Sequence, residues 1–406
     1  MQISILTIGN ELLNGSTLNT NASWIGKSLT QLGCQIQKHI TVKDDKAEIK
    51  NGLDTLLFNN PDSIIVTGGL GPTNDDITRD VVFEFVGVKK KIDKKYWLEL
   101  TKYFKSLGYD IPPINKNQAC IPSRGEIIPN PRGSARGYNF SYSNSNIIVL
   151  PGVPLEMKIM MKESIIPSIR SSIKQKYFSK TIKTTGLSES LVATYINKKV
   201  LMNNSCSIGY YPSLYGVDLT ISGNQLKKVQ NLSKEIESIL KNNIYSNDNT
   251  TLERVIVEIA RGLDKTIAVA ESCTGGLIGS RITEVEGSSA VFKGGVIAYS
   301  NESKINILGV KRNTLKSFGA VSDQVASEMA YQVRKRFSVN YGLSITGIAG
   351  PDGGTKSKPV GLVYIGLSSQ YRTVVKKFNF SNSRNQIRIR TSQAGLNFLR
   401  MELING

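Results

Sequence analysis

Histidine is nearly missing from this chain: of its 406 residues, only His39 is one. That excludes histidine-rich metal centres and any catalytic triad with imidazole as its base. A hydrolase built from this sequence must draw its base from lysine, a carboxylate or metal-bound water. Cysteine is scarce as well. Cys34, Cys120, Cys206 and Cys273 show no paired spacing, so neither a disulfide framework nor a zinc knuckle is encoded and buried thiols are expected. Long apolar runs are also lacking. None approaches the roughly 18 residues that span a bilayer, and the chain enters an apolar strand without a charged n-region or cleavage site. The expectation is a cytoplasmic protein without a membrane partner.

Acidic residues are outnumbered, 32 against 51 Lys and Arg, for a formal charge of +19. Such a balance permits phosphate binding. The lysines, however, are spread along the chain without an aromatic-basic recognition motif, so nucleic acid is not expected as a partner. The field would steer small anions instead.

The length and the 40% hydrophobic content allow two or three cores. Strands are expected at Gln2–Ile8, Ile36–Val42, Ser63–Thr67 and Asn146–Leu150. Between them fall a helix carrying Ile25, Leu29 and Leu32, ended by Gly33, and one opened by Asp44 and Asp45. This alternation predicts an α/β domain with a parallel sheet, closed by Asn146–Leu150. A small α+β module follows from near Lys180: strands at Thr181–Thr185, Cys206–Tyr211 and Val217–Ser222, a helix at Leu191–Lys199 and another after Gln225. The polar run Asn242–Thr250 reads as its boundary. A third α/β unit starts with a helix at Leu252–Leu263.

Three strand-end loops carry candidate chemistry. Thr266–Ala270 breaks into Glu271-Ser272-Cys273-Thr274-Gly275-Gly276, which places a hydroxyl where open α/β sheets bind ligands. After Ser63–Thr67 come Gly68, Gly69 and Gly71, then Asp75, Asp76 and Asp80. Two readings of that loop stand open: a metal-assisted phosphate-ester or pyrophosphate site, or a tight Gly-Pro turn with aspartates capping a helix. Glu11, after the first strand, either adds a carboxylate or caps a turn. The third loop, Thr346–Gly354, offers Gly347 and Gly350 as backbone donors for a phosphate or oxyanion.

Several segments occur in the order of one family. They are Gly9–Gly26, Thr67–Asp80, Asn117-Gln118-Ala119, Asn130–Gly133, Leu150–Met157, Glu271–Gly276, Ala298-Tyr299-Ser300-Asn301 and Thr346–Gly354. With them, nearly the whole chain resembles the CinA family. The resemblance implies three domains: a MoaB/MogA-like domain at 1–170, a KH-like connector at 171–249 and a carboxyl-terminal α/β deamidase domain at 250–406. It implies deamidation of nicotinamide mononucleotide without a cofactor, and ADP-ribose pyrophosphatase activity with a divalent metal (Mg, Mn or Co). Glu11, Asp75, Asp76 and Asp80 would hold that metal, and Asn21 and the loop glycines would bind nucleotide. The alternative for the first domain is a non-catalytic pterin- or nucleotide-binding regulatory module. Asn19 stands where pterin-binding relatives carry an acid. Gly209-Tyr210-Tyr211-Pro212 supplies no Gly-x-x-Gly clamp, so the connector is expected to serve packing or dimerisation, the protein being a homodimer.

Alongside the resemblance, amide cleavage needs a nucleophile, a base and oxyanion donors. Ser272 is the natural nucleophile and Lys304 the best base candidate, with Tyr299 relaying a proton or orienting the lysine; the alternative is that Ser272 only caps the following helix and Lys304 is one of many solvated lysines. Thr274, Gly275, Gly276 and Thr346 would contact substrate. Arg384 and Arg388, one helical turn apart, could grip a 5′-phosphate.

Overall fold

Strand β1 (Gln2–Ile8) is buried along Ile3–Ile8, the pattern of a strand covered by helices on both faces. Its cover follows from amphipathic spacing. Ile25 and Leu29 line the buried face of α1 (Thr20–Gln31). After β2 (Gln35–Val42), Ile49, Leu53 and Leu56 do the same in α2 (Lys46–Leu57). Asp45 caps α2 by accepting from the Ala47 and Glu48 N–H groups. Asp44, expected to open that helix, instead accepts from Asn10 N–H. The computed structural model describes residues 1–173, 177–196 and 206–405, and the chain divides into two units, Met1–Ser179 and Lys180–Gly406.

The first unit holds a six-stranded sheet. Its further strands are β3 (Ser63–Thr67), β4 (Glu126–Ile128), β5 (Gly137–Tyr142) and β6 (Ser145–Leu150). In the order β2-β1-β3-β6-β5-β4, the first four run parallel. The expectation that Asn146–Leu150 closes a parallel sheet is corrected here. β5 and β4 continue it in antiparallel fashion, β5 joined to β6 by a tight turn between Tyr142 and Ser145. Antiparallel strands need only such a turn, whereas parallel ones need a crossover, and the helix-and-strand alternation signals only the latter.

In the second unit, β7 (Phe178–Thr184), β8 (Ser207–Pro212), β9 (Val217–Gly223) and β10 (Ile244–Ser246) form a sheet ordered β8-β9-β7-β10. Helices α3 (Glu189–Tyr195) and α4 (Leu226–Leu240) accompany it. Residues 197–199 of the expected helix Leu191–Lys199 lie outside the described residues. Within the run Asn242–Thr250, Ile244 pairs with Thr184 across the sheet. The polarity of the run is used locally, Ser246 donating to the Asp248 carboxylate and Asp248 accepting from Thr250 N–H.

Beyond it, α5 (Leu252–Gly262) buries Leu252, Ile256, Val257 and Ala260 on one stripe. A second sheet comprises β11 (Ile267–Glu271), β12 (Phe292–Ile297), β13 (Tyr341–Gly347), β14 (Leu362–Ser368) and β15 (Thr373–Asn379). Its order is β12-β11-β13-β14-β15, parallel among the first three and antiparallel after. Two helices, α6 (Leu277–Thr283) and α7 (Asn301–Asn306), follow β11 and β12. A third, α8 (Asp323–Arg336), packs on β13 so closely that a Cβ on Gly342 would stand 2.3 Å from the Ala330 carbonyl oxygen. The last helix, α9 (Arg384–Asn405), lays Leu396, Leu399 and Leu403 into the same core as Leu343 and Ile345. Truncating one such leucine to alanine costs about 2–5 kcal/mol, so this core holds β11 and β13 rigidly. Among the described residues, no helix is long and apolar enough to cross a membrane.

Candidate active site

The ladder between β11 and β13 runs one residue past β11, where Ser272 N–H donates to the Ile345 carbonyl at 3.0 Å. This pins Ser272 at the mouth of the sheet. The chain then turns through Gly275 (φ +62°) and Gly276 (φ +91°), conformations that glycine adopts without a Cβ clash. The turn is fastened from below. Glu271, 1% exposed, accepts from Gly276 N–H (3.0 Å), Ile278 N–H (3.2 Å) and Gly279 N–H (2.9 Å). Three amides of the first turn of α6 thus satisfy a carboxylate that burial would otherwise make costly.

Lys304 reaches the same corner from α7, whose Ser300 cap accepts from Ser303 N–H. It is 1% exposed, and its Nζ donates to Ser272 Oγ at 3.0 Å and to the Ala298 carbonyl at 2.8 Å. Burial lowers its pKa from the ordinary lysine value, because desolvation penalises the ammonium. The adjacent Cys273 thiol is pushed up to about 12 by its own burial. A thiol so held stays protonated at neutral pH.

A rim surrounds this pair. Arg384 donates to the Gly350 carbonyl (2.6 Å) and to the Tyr299 hydroxyl (2.7 Å). Arg388 donates twice to the Thr274 carbonyl, from Nη2 at 2.8 Å and Nε at 3.3 Å. Thr274 is fully buried, and its hydroxyl has no partner among the described residues. The Thr346 hydroxyl donates to the Ala320 carbonyl, so it braces the fold. A Cβ on Gly347 would stand 2.7 Å from Val363.

The first unit has its own strand-end cavity, of about 540 Å³, between the loops after β1, β3 and β6. Gly68, Gly69 and Gly71 line it with Asn21, Glu11, Asp44, Asp75 and Asp76. Gly68 (φ +115°) lies where a Cβ would be 2.1 Å from the Ile8 carbonyl oxygen. Asn21 donates to the Gly152 carbonyl at 2.7 Å, and its Oδ1 is an unpartnered acceptor among the described residues. Asn19 caps α1 through Ala22 N–H and donates to the Thr7 hydroxyl. Asp76 accepts from Gly71 N–H (2.8 Å), from Thr73 N–H (2.9 Å) and from the Thr73 hydroxyl. Burial raises the Asp44 pKa, and the charges of Glu11, Asp75 and Asp76 push the same way. Asp80 stands apart from the cavity, paired with Lys90 at 3.0 Å and Arg79 at 3.1 Å. Among the described residues, no three of His, Cys, Asp and Glu group closely enough to hold a metal ion. Of the four acids expected to hold a metal, Glu11, Asp75 and Asp76 line the cavity and Asp80 does not.

Three family models match the chain. They are the CinA C-terminal domain at residues 249–403, the probable molybdopterin binding domain at 4–171 and the damage-inducible protein CinA KH domain at 179–246. A protein of Thermoanaerobacter pseudethanolicus named for competence-damage induction is 40% identical over 414 residues, covering 100% of this chain and 99% of its own. This chain belongs to the CinA family. A Clostridium novyi relative of the same name is 38% identical over 410 residues, again covering 100% of this chain and 99% of its own. A solved structure, the competence/damage inducible protein CihA from Agrobacterium tumefaciens, is 39% identical. It covers 38% of this chain and 93% of that one, with a TM-score of 0.37.

Within this CinA protein, the structure brings Ser272 and Lys304 together and sets Arg384, Arg388, Thr274, Gly275 and Gly276 around them. Tyr299 is a correction. It is 58% exposed and bonded to Arg384, not to the lysine; the Ala298 carbonyl and Ser272 orient Lys304 instead. Glu271 and Asp44 were not singled out from the sequence. For Glu271 a signal existed: an acid closing an apolar strand five to eight residues before the amides of a Gly-Gly helix start.

Proposed function

We propose that the second unit is a nicotinamide-nucleotide amidase, converting nicotinamide mononucleotide and water to nicotinate mononucleotide and ammonia. The observation that supports it is the buried Ser272–Lys304 pair at 3.0 Å. A lysine whose pKa burial has lowered can be neutral and take the serine proton as Oγ attacks the amide carbon. The proton then goes to the departing ammonia. Water, deprotonated by the same amine, releases the acid from the acyl-serine. Arg384 and Arg388 at the rim suit the 5′-phosphate. No step needs a metal or cofactor. Ser272→Ala should abolish ammonia release with an unchanged circular dichroism spectrum; turnover at the parent rate sinks the assignment.

The first unit carries a second reading, supported by the glycine-lined cavity and the unpartnered Asn21 acceptor: it binds a nucleotide or pterin. Metal-dependent cleavage of ADP-ribose would have the cavity carboxylates Glu11, Asp75 and Asp76 share the metal with the substrate's own phosphates. ADP-ribose binding that survives EDTA, with no AMP formed on adding Mg, Mn or Co, would make the unit a binding module. AMP formation dependent on those metals would make it a pyrophosphatase.

A further inference from the structure

A second cavity within the Lys180–Gly406 unit, of about 560 Å³, lies between the loops of the β8-β9-β7-β10 sheet and the faces of β15 and α9. Its walls are aromatic and cationic. The rings of Phe378 and Phe380 stack at 5.6 Å and 7°, and Lys376 Nζ stands 4.4 Å from the Phe398 ring centre. Arg390 lines the cavity, and its Nε–H is buried without an acceptor among the described residues. No ion pair reaches Lys376 or Arg390 among those residues. The one carboxylate on the wall, Glu189, is exposed.

A buried guanidinium donor without an acceptor is a destabilising feature of the empty state, and a ligand anion would remove it. Parallel phenyl rings beside two uncompensated cations call for a flat, negatively charged partner. We propose that this cavity is a second small-molecule site, which takes an anion bearing a planar ring. The anion meets Arg390 and Lys376, and the ring lies against Phe378 and Phe380. The site shares α9 with the rim of the Ser272 corner. Arg390 follows Arg388 by two residues on α9, and Gln393, on the same wall, donates to the Thr185 hydroxyl and accepts from Arg281. Arg281 belongs to α6, the helix that Glu271 caps.

Amide hydrogen exchange on the full chain tests this, with 1-naphthyl phosphate as the probe and inorganic phosphate and 1-naphthol as separate arms. The probe should slow exchange at residues 185–189 and 213–217. Arg390→Gln should raise its half-maximal concentration by about tenfold, the loss of one charge-assisted bond. Lys376→Gln, at an exposed position that does not threaten folding, should raise it severalfold. Absence of slowing at those segments overturns the proposal. So does an unchanged half-maximal concentration in both variants, or full slowing by phosphate or by naphthol alone.

Discussion

Two loops of this CinA chain leave the carboxyl ends of buried parallel strands, and they spend their polar groups in opposite ways. After β3, Asp76 folds back on the loop and takes the amides of Gly71 and Thr73. The cavity beside it is left acidic, with Asp44 raised in pKa by burial and by its charged neighbours. After β11, the acid lies behind the loop: Glu271 takes the amides of α6, and a hydroxyl and an amine are what remain at the mouth. Both loops are rich in glycine. What separates a cradle from a reactive corner is where the backbone donors are already committed.

The sharpest way to break this contrast is Lys304→Met, which should lower ammonia release by about 10² to 10⁴ as the base is lost. It should also stabilise the fold at neutral pH. Burial depresses the lysine pKa in the folded state. Between that lowered value and the unfolded one, the unfolded chain binds more protons, and stability rises with pH; below the window the desolvation penalty is present in full. Urea titrations at pH 7 and 10 should show the parent gaining stability with pH and the variant not. A variant weaker than the parent at pH 7 would mean that the lysine is carried as a well-compensated ammonium. The rate of the parent should climb with pH through a pKa below that of an exposed lysine.

Glu271→Gln tests the other half of the comparison. A neutral amide cannot replace a carboxylate that accepts three N–H bonds, and a loss of about 3 kcal/mol in stability is expected, read by urea titration. A roughly tenfold fall in kcat should accompany it, because a loosened turn misplaces Ser272. Unaltered stability would show the cap to be dispensable. Asp76→Asn should weaken nucleotide binding to the first unit by about tenfold, because the loop amides of Gly71 and Thr73 lose the carboxylate that holds them in place, measured by calorimetry, and leave ammonia release alone. If both activities fall together, the two loops are not independent. The smallest effect belongs to Tyr299→Phe, which removes one exposed hydrogen bond to Arg384. KM should rise by no more than a few fold with kcat unchanged. A large drop in kcat would restore Tyr299 to the proton path.

The sequence announces those elements whose burial is periodic or complete. β1, β3 and β11 are apolar runs ending in glycine-rich loops, and α2 and α5 show their buried stripes at helical spacing. Ser272 and Lys304 were legible for the same reason, each sitting where a strand gives way to a helix. β4 and β5 were not, because an edge hairpin carries a weaker pattern than a covered strand. β10 stayed hidden because its three residues lie in a polar run and earn their place by pairing with β7. Side-chain commitments escaped altogether: nothing in local order says that Asp80 will turn to Lys90 or Tyr299 to Arg384.

The bond from Arg388 to the Thr274 carbonyl spans 114 residues of chain. A ribosome delivers Ser272 and Lys304 before it delivers α9, so the Thr274 carbonyl waits for its partner until Arg388 has been made, and the corner is complete only when a distant stretch of chain folds against it. A chain broken off before Arg384 would lack both guanidiniums beside the Ser272 corner and the leucines that α9 adds to the core.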